Sequence, residues 1–585
     1  MHLSPAHAQR CAVICDALAI PRCAGADFVR SACHHAALIH GGPQEERRHS
    51  LIAYLVYSAF LGRPPSAAEI RTLALRLRSH DCDEITDHFY RSQEYQQAES
   101  SGFTLVCPPS EALVLDVTHT AHYPHTSGIQ RVVRSLSGAL MSQPEKPFFV
   151  NLCSTSGRFV LLTEQDIADM VAPRQATSRP AARRPRLRKL LADAKASFKR
   201  LVGTRVARNA SLAMARVKPI GRMCRQIGRN LRAATTRLAT RTFRQSASAF
   251  GKPRHAGVFL WHQHFLIPEL AANEYRIELL NLILSATPLR STLILYDLIP
   301  LRHPEYFPTK SLSGYVLYLS LLRHVDAISC ISAVVRDDLH ALLPLVPRSK
   351  PQPRIDVHYL GADFRVAGEP ARLLNGQEPP FVLCVGTIEP RKNQTRILEA
   401  MARAQLRGCR FTGVFVGNAG WLNGHFRDYL EHMKKAGCRI LLFEHASDVD
   451  LEGLYNASTF TMYCSLTEGF GLPIIESVMR GKPCITSNVG SMKEVAEQLG
   501  GCLLVNPENV DDIADAIQRL VGEPHTLAAL QQAADRATWT NWHDYARSLR
   551  QFCIAAPECT SSAPAGILSG PKRTSHPATS GKALA

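Results

Sequence analysis

Glu468 and Glu476 have seven residues between them, including the run Gly469-Phe470-Gly471-Leu472-Pro473. The apolar stretch 460–463 ahead of them reads as a buried strand, and Pro473, with its fixed φ and missing N–H, suits the first position of a helix. A glycine turn at a helix N-terminus offers backbone amides to an anion, and the flanking carboxylates can accept from hydroxyls. A second pair, Arg391 and Lys392, lies between the apolar run 381–386 and a helix beginning at Gln394. Adjacent cations on such a loop can clamp a diphosphate, the arginine fork matching its oxygens. Phosphates and hydroxyls together describe a nucleotide sugar. The plain alternative at each place is a solvated turn.

The Glu468–Glu476 segment resembles the Glu-x7-Glu motif of the retaining family 4 glycosyltransferases, which have the GT-B fold. Gly386-Thr387-Ile388-Glu389-Pro390-Arg391-Lys392-Asn393 is similar to a loop of the bacterial O-antigen and capsule mannosyltransferases. Gly128-Ile129-Gln130-Arg131 and the run from Asp297-Leu298-Ile299-Pro300 to Glu305 look like the same subgroup. Many members place an arginine after the strand glycine, where this chain has Thr387, and many read His-Asp where it has Tyr296-Asp297.

The resemblance implies roles. Arg391 and Lys392 would neutralise the charge developing on the leaving nucleoside diphosphate. Glu476 would accept from ribose hydroxyls and Glu468 would contact the donor sugar. The amides of Gly469, Phe470 and Gly471 would hold sugar or phosphate, with Gly386, Thr387 and Leu472 completing the donor site. Gly128, Arg131, His262, His264 and Asp297 would form the acceptor side. Glu468, Arg391, Lys392, His264 and Asp297 are thus the candidate catalytic set. The leaving phosphate would take the acceptor proton, so no general base is required. No cofactor is implied, and no Asp-x-Asp motif at a strand end calls for a metal.

These residues need strands and helices to hold them. Residues 112–117 read as a first strand, followed by a loop at Gly128 and a helix over 132–141, the opening unit of a Rossmann-like domain. The apolar run 257–261 is expected to be a strand ending at His262-Gln263-His264, and 292–296 a strand ending at Asp297. Residues 324–332 form another, with Ser332 capping a helix. Polar groups at the carboxyl ends of parallel strands face the ligand crevice, which makes His262, His264, Asp297 and Ser332 candidates by position.

At 585 residues the chain needs more than one core. Its 45% hydrophobic and 20% charged residues are those of a soluble globular protein. No uninterrupted apolar segment reaches the roughly 20 residues of a membrane span, and the N-terminus has no signal-peptide pattern. The 17 cysteines are scattered without a Cys-x-x-Cys pair, which fits reduced thiols in the cytosol and gives no support to zinc or redox motifs. The net charge of +18 belongs to one segment, since Arg179 to Arg244 holds 20 Lys and Arg against the single acid Asp193. Helices docking on an anionic membrane surface, a disordered basic insertion and a nucleic-acid contact compete there. The last is disfavoured because stacking aromatics are nearly absent.

The expected architecture is α/β: GT-B, two Rossmann-like domains facing a cleft, plus an N-terminal all-helical module. Residues 1–105 form the accessory module, whose Tyr57-Ser58-Ala59-Phe60-Leu61-Gly62-Arg63-Pro64 resembles domain of unknown function 4214. Residues 110–367 form the acceptor domain with a basic insertion at 178–246, 380–555 the donor domain, and 556–585 a disordered tail. The resemblance implies a retaining, metal-independent hexosyltransferase moving mannose from GDP-mannose to a polysaccharide or lipid-linked oligosaccharide in surface polysaccharide synthesis. Its partners would be the nucleotide sugar, the glycan acceptor, an anionic membrane surface and assembly proteins docking on the module. The location would be cytoplasmic, at the inner face of the membrane. A non-catalytic scaffold of a polysaccharide-assembly complex, or a GT-B nucleotide-sugar epimerase, is the alternative.

Overall fold

A computed structural model describes residues 4–39, 45–79, 81–122, 128–153, 156–172, 256–270, 273–362, 380–420, 424–444 and 446–555. The basic insertion at 178–246, most of the expected linker before Pro380 and the expected tail at 556–585 lie outside these residues.

The chain opens with six helices, α1 (Pro5–Leu18), α2 (Gly25–Ile39), α3 (Glu45–Leu61), α4 (Ala67–Ser79), α5 (Cys82–Arg91) and α6 (Gln93–Ser100). Ser66 and Glu69 make the expected capping box at the start of α4: each one's backbone N–H donates to the other's side chain, at 2.6 and 3.4 Å. Every residue of α3 from Leu51 to Leu61 is buried, as required of a helix covered on all sides. One of those sides is the first sheet. The Tyr54 hydroxyl donates to the Leu260 carbonyl at 2.9 Å, and Arg158 donates to the Leu61 carbonyl at 2.7 Å. The helices therefore share a continuous apolar core with that sheet instead of standing apart from it.

The first sheet contains β1 (Leu105–Val106), β2 (Leu113–Asp116), β3 (Phe148–Cys153), β4 (Arg158–Leu161), β5 (Gly257–Val258), β6 (His264–Ile267), β7 (Arg290–Leu295), β8 (Ala327–Cys330) and β9 (Arg354–Val357). Their spatial order is β1-β5-β4-β3-β2-β6-β7-β8-β9. All pairings are parallel except those of β4 with β3 and with β5. The second sheet is parallel throughout. It runs β12 (Ile440–Phe443), β11 (Thr412–Val416), β10 (Phe381–Val385), β13 (Phe460–Tyr463), β14 (Cys484–Ser487) and β15 (Cys502–Val505). Parallel strands covered on both faces read as unbroken apolar runs, which is why Phe381-Val382-Leu383-Cys384-Val385 stands out in the sequence.

The order in the second sheet reverses between β10 and β13, and in the first between β2 and β6. At such a reversal the loops after the two strands part in opposite directions and leave a crevice. These two Rossmann-like halves, with the helical N-terminal region, form the expected GT-B arrangement. The final helix, Trp542–Ile554, does not stay with the second sheet as expected. It returns to the first, where Arg354 donates to the Phe552 carbonyl at 2.6 Å and Arg550 pairs with Glu145 at 2.6 Å.

Candidate active site

The loops at the second reversal carry the residues singled out by the sequence. The loop after β10 is turned by Gly386, at φ 146°, and continues through an exposed Thr387 to Arg391, Lys392 and Asn393. Asn393 adopts φ 62°, the left-handed conformation asparagine tolerates best among non-glycine residues, and its side chain donates to the carbonyls of Cys464 and Pro507 at 2.9 and 2.7 Å. That ties the cationic loop to the one after β13. The Leu466 N–H adds to the tie by donating to the Arg391 carbonyl at 2.8 Å.

Arg391, Lys392 and Glu468 meet in one cluster. Arg391 reaches Glu468 at 2.5 Å and Glu389 at 2.7 Å, while Lys392 touches the other Glu468 oxygen and the Tyr463 hydroxyl, both at 2.5 Å. Burial alone would raise the Glu468 pKa, but the Arg391 and Lys392 charges outweigh it and hold the carboxyl down at about 2. Burial pushes the Lys392 ammonium below its ordinary value and the Glu389 carboxyl above its own. The Asp297 carboxyl, within the field of the same cations, is also raised by burial. Two cations therefore face three carboxylic groups, which match their charge internally.

The turn at Gly469 is where the two sheets touch. A β-carbon there would lie 2.0 Å from the Tyr296 carbonyl oxygen and 2.9 Å from the Asp297 Cβ, so only glycine fits. Ser332, which caps the helix Ala333–Leu342 as expected, also donates to the Gly469 carbonyl at 2.8 Å. Ser491 donates to the Glu468 and Phe470 carbonyls, both at 2.7 Å. With the carbonyls engaged, the N–H groups of Gly469, Phe470 and Gly471 donate to no acceptor among the described residues. Gly471, at φ 142°, precedes the short helix Leu472–Val478, which has Pro473 in its first turn as the sequence predicts. The Phe470 ring is buried near Tyr359 and Trp539, so only its backbone is offered to a ligand. Asp297, Arg302, Thr467, Glu468, Gly469 and Gly490 line a cavity of about 170 Å³ between the sheets.

Glu476, one face of that helix further on, is buried, with Oε2 accepting from the Tyr455 hydroxyl at 2.8 Å. Its Oε1 meets the Arg131 guanidinium at 2.8 Å. Arg131 sits in the first turn of the helix Gly128–Met141, so Gly128, exposed, opens that helix and is not a loop residue. Glu476, expected on the donor side, and Arg131, expected on the acceptor side, are thus joined by the fold.

His262 and His264 are displaced from their expected places. His264 begins β6 instead of following a strand, and β6 runs parallel to β2 and β7, so both histidines lie at the end of the sheet away from Asp297. His264 Nδ1 is 2.9 Å from the Cys553 carbonyl, with Glu111 and Arg290 close by. His262 faces a separate hollow with Trp261, Val13 and Leu105. At the carboxyl end of the sheet, His119 stands in the short helical turn Thr118–His122 directly after β2, while His303 lines the cavity between the sheets. The buried Glu269 carboxylate, after β6, holds that turn by accepting from the Thr120 N–H and hydroxyl at 2.9 and 2.7 Å and from the His119 N–H. Arg276 lies 2.8 Å from Asp116 and 3.0 Å from Glu269. Burial, followed by the Arg276 charge, lowers the His119 pKa, and Gln130 stands 3.4 Å from its Nδ1. Asp116, His119 and Glu269 each follow or end a strand at the first reversal, a placement that becomes readable only once the strand order is known.

Residues 369–537 match the family of glycosyl transferases group 1. The serotype-specific mannosyltransferase WbdA of Escherichia coli is 29% identical over 281 residues, 45% of this chain and 34% of that protein. The O-antigen chain mannosyltransferase B of Escherichia coli is 32% identical over 166 residues, 28% of this chain and 43% of that protein. The chain thus spans less than half the length of either relative. Among solved structures, a sucrose-phosphate synthase from Thermosynechococcus elongatus aligns over 76% of this chain and 98% of its own, at 16% identity and a TM-score of 0.45. No helix among the described residues is long and apolar enough to cross a membrane, and no group of His, Cys, Asp and Glu among them could hold a metal ion.

Proposed function

We propose that the protein is a retaining, metal-independent hexosyltransferase that moves mannose from GDP-mannose to a polysaccharide or lipid-linked acceptor. The observation that carries this reading is the convergence of Arg391, Lys392 and Glu468 below the unclaimed amides of Gly469, Phe470 and Gly471 at the reversal point of the second sheet. The mannosyltransferase relatives favour mannose over other hexoses.

The diphosphate would take over Arg391 and Lys392 from Glu468, releasing that carboxylate to accept from the donor sugar's hydroxyls. Charge accumulating on the leaving diphosphate then meets fixed cations and backbone amides in a water-poor site, where such stabilisation is strongest. Glu476, its Oε2 held by Tyr455, would offer Oε1 to the ribose. The acceptor would approach along the first sheet, past Asp297 and His119. As the leaving phosphate is the nearest strong base once its bond to the sugar breaks, it would collect the acceptor proton on the same face, which preserves the anomeric configuration.

A thermal-shift panel of GDP-, UDP-, dTDP- and ADP-mannose and -glucose tests the donor. The expected result is a rise in melting temperature with GDP-mannose above all others, followed by transfer to an oligomannose acceptor. Equal or absent shifts across the panel would remove GDP-mannose as donor. The basic segment 178–246 is read as an anionic-membrane contact, tested by flotation with phosphatidylglycerol and phosphatidylcholine vesicles; recovery independent of lipid charge would end that reading.

A further inference from the structure

The contact between Arg131 and Glu476 carries an inference that rests on the nucleotide-sugar reading and goes beyond it. Arg131 belongs to the first sheet's helix Gly128–Met141 and Glu476 to the second sheet's helix Leu472–Val478, so their 2.8 Å pair bridges the two halves. The Glu476 side chain is 3% exposed and that of Arg131 40%. Oε2 accepts from the hydroxyl of the buried Tyr455 at 2.8 Å. That leaves Oε1 for a ribose hydroxyl. With Arg131 against it, however, Oε1 has no contact with solvent. A hydroxyl reaches it only if the guanidinium moves aside.

A guanidinium moved off Glu476 has an obvious next partner. The diphosphate of a nucleotide is joined to its ribose through one methylene, so a cation leaving the ribose-binding carboxylate is already beside the phosphates. Arginine suits such an exchange because its planar fork matches a carboxylate and a phosphate equally. We propose that Arg131 is a positioning residue that trades Glu476 for the donor's diphosphate on binding. It becomes a third cation, supplied by the opposite sheet, that holds the two halves together over the nucleotide.

The exchange has a signature that simple support of the fold does not share. In Arg131→Gln, Glu476 is uncontested, so a nucleoside without phosphates binds as well as or better than to the wild type. A nucleoside diphosphate loses its third cation and binds about tenfold more weakly or worse, the worth of one charge-assisted hydrogen bond. The experiment measures affinities of GDP and guanosine, with UDP and uridine in parallel, for the wild type, Arg131→Gln and Arg131→Lys by titration calorimetry and ligand-observed NMR. The diphosphate-to-nucleoside affinity ratio is expected to fall at least tenfold in Arg131→Gln and to recover in part in Arg131→Lys. Parallel weakening of both ligands, or an unchanged ratio, would overturn the exchange. A wild type that binds neither GDP nor UDP would instead overturn the donor reading beneath it.

Discussion

Substituting Gly469 by alanine adds one methyl group at the place where the two sheets meet, and the consequence can be worked out from the contacts. The new carbon would stand 2.0 Å from the Tyr296 carbonyl oxygen, a backbone atom at the end of β7, and 2.9 Å from the Asp297 Cβ. Neither neighbour is the free end of a flexible side chain, so the loop between Glu468 and Gly471 must retreat by about 1 Å, the scale of misplacement that costs about a hundredfold in rate. The retreat also strains the Ser332 bond to the Gly469 carbonyl and the two Ser491 bonds on either side. Overpacking of this kind destabilises by about 1–3 kcal/mol. Gly469→Ala is therefore expected to fold, to melt a few degrees lower, and to lose most of its transfer rate and donor affinity together. Melting by circular dichroism and transfer from GDP-mannose under saturating donor measure the two effects. Wild-type melting with wild-type turnover would refute the contact between the loop and the end of β7.

Three further outcomes follow from the same geometry. Glu468, held at about 2, contributes stability that is complete above the ordinary glutamate pKa and is lost as pH falls from there toward 2. Lys392→Met is thus less stable than the wild type at pH 7, and the gap in melting temperature should narrow between about pH 4.5 and 2.5; a constant gap would mean that Lys392 does not set the Glu468 charge. Arg276→Met leaves Asp116 and Glu269 buried without their shared cation and should lower stability by about 3–5 kcal/mol, read as a shift in the urea midpoint. A midpoint equal to the wild type would contradict a charged network. His264→Asn loses the buried contact to the Cys553 carbonyl and should melt lower while its turnover stays within about twofold, in contrast to Asp297→Asn or Glu468→Gln. Equal loss of turnover in His264→Asn would restore that histidine to the cleft.

The second sheet and its site were largely legible in the sequence because they depend on local signals. Continuous apolar runs mark β10 and β13, Pro473 marks a helix start, and the cations and glutamates lie directly after those strands. The caps at Ser66 and Ser332 are equally local, each made to an N–H three residues on. The first sheet was read less well for an identifiable reason. Polar His262-Gln263-His264 is flanked by apolar residues on both sides, and periodicity alone does not tell where the strand on each flank begins or stops. Pairing decides it: ahead, only Gly257–Val258 pairs, as β5, and the chain turns at Trp261, its N–H bonded to the Gln263 side chain at 2.7 Å, whereas behind, Phe265 aligns with Val114 on one side and with Ser291 on the other. The hairpin of β3 and β4 around Gly157 is short and one of its strands lies among antiparallel partners, so it leaves little trace in hydrophobic pattern. Links between residues distant in the chain had no local signature at all. Arg131 and Glu476 lie on helices of different halves, and Glu269 and His119 follow different strands, so only the folded arrangement brings each pair together.

The donor site itself is tested most directly by transfer from GDP-mannose in the double variant Glu476→Ala/Lys392→Ala, with hydrolysis of the sugar nucleotide followed in the same reaction. Both side chains are spatially and chemically distinct parts of the site, one expected at the ribose and one at the diphosphate. Loss of transfer, of hydrolysis and of GDP-mannose binding in a variant that retains its fold is the expected result. Transfer or hydrolysis surviving at the wild-type rate would contradict the placement of the donor at this loop pair.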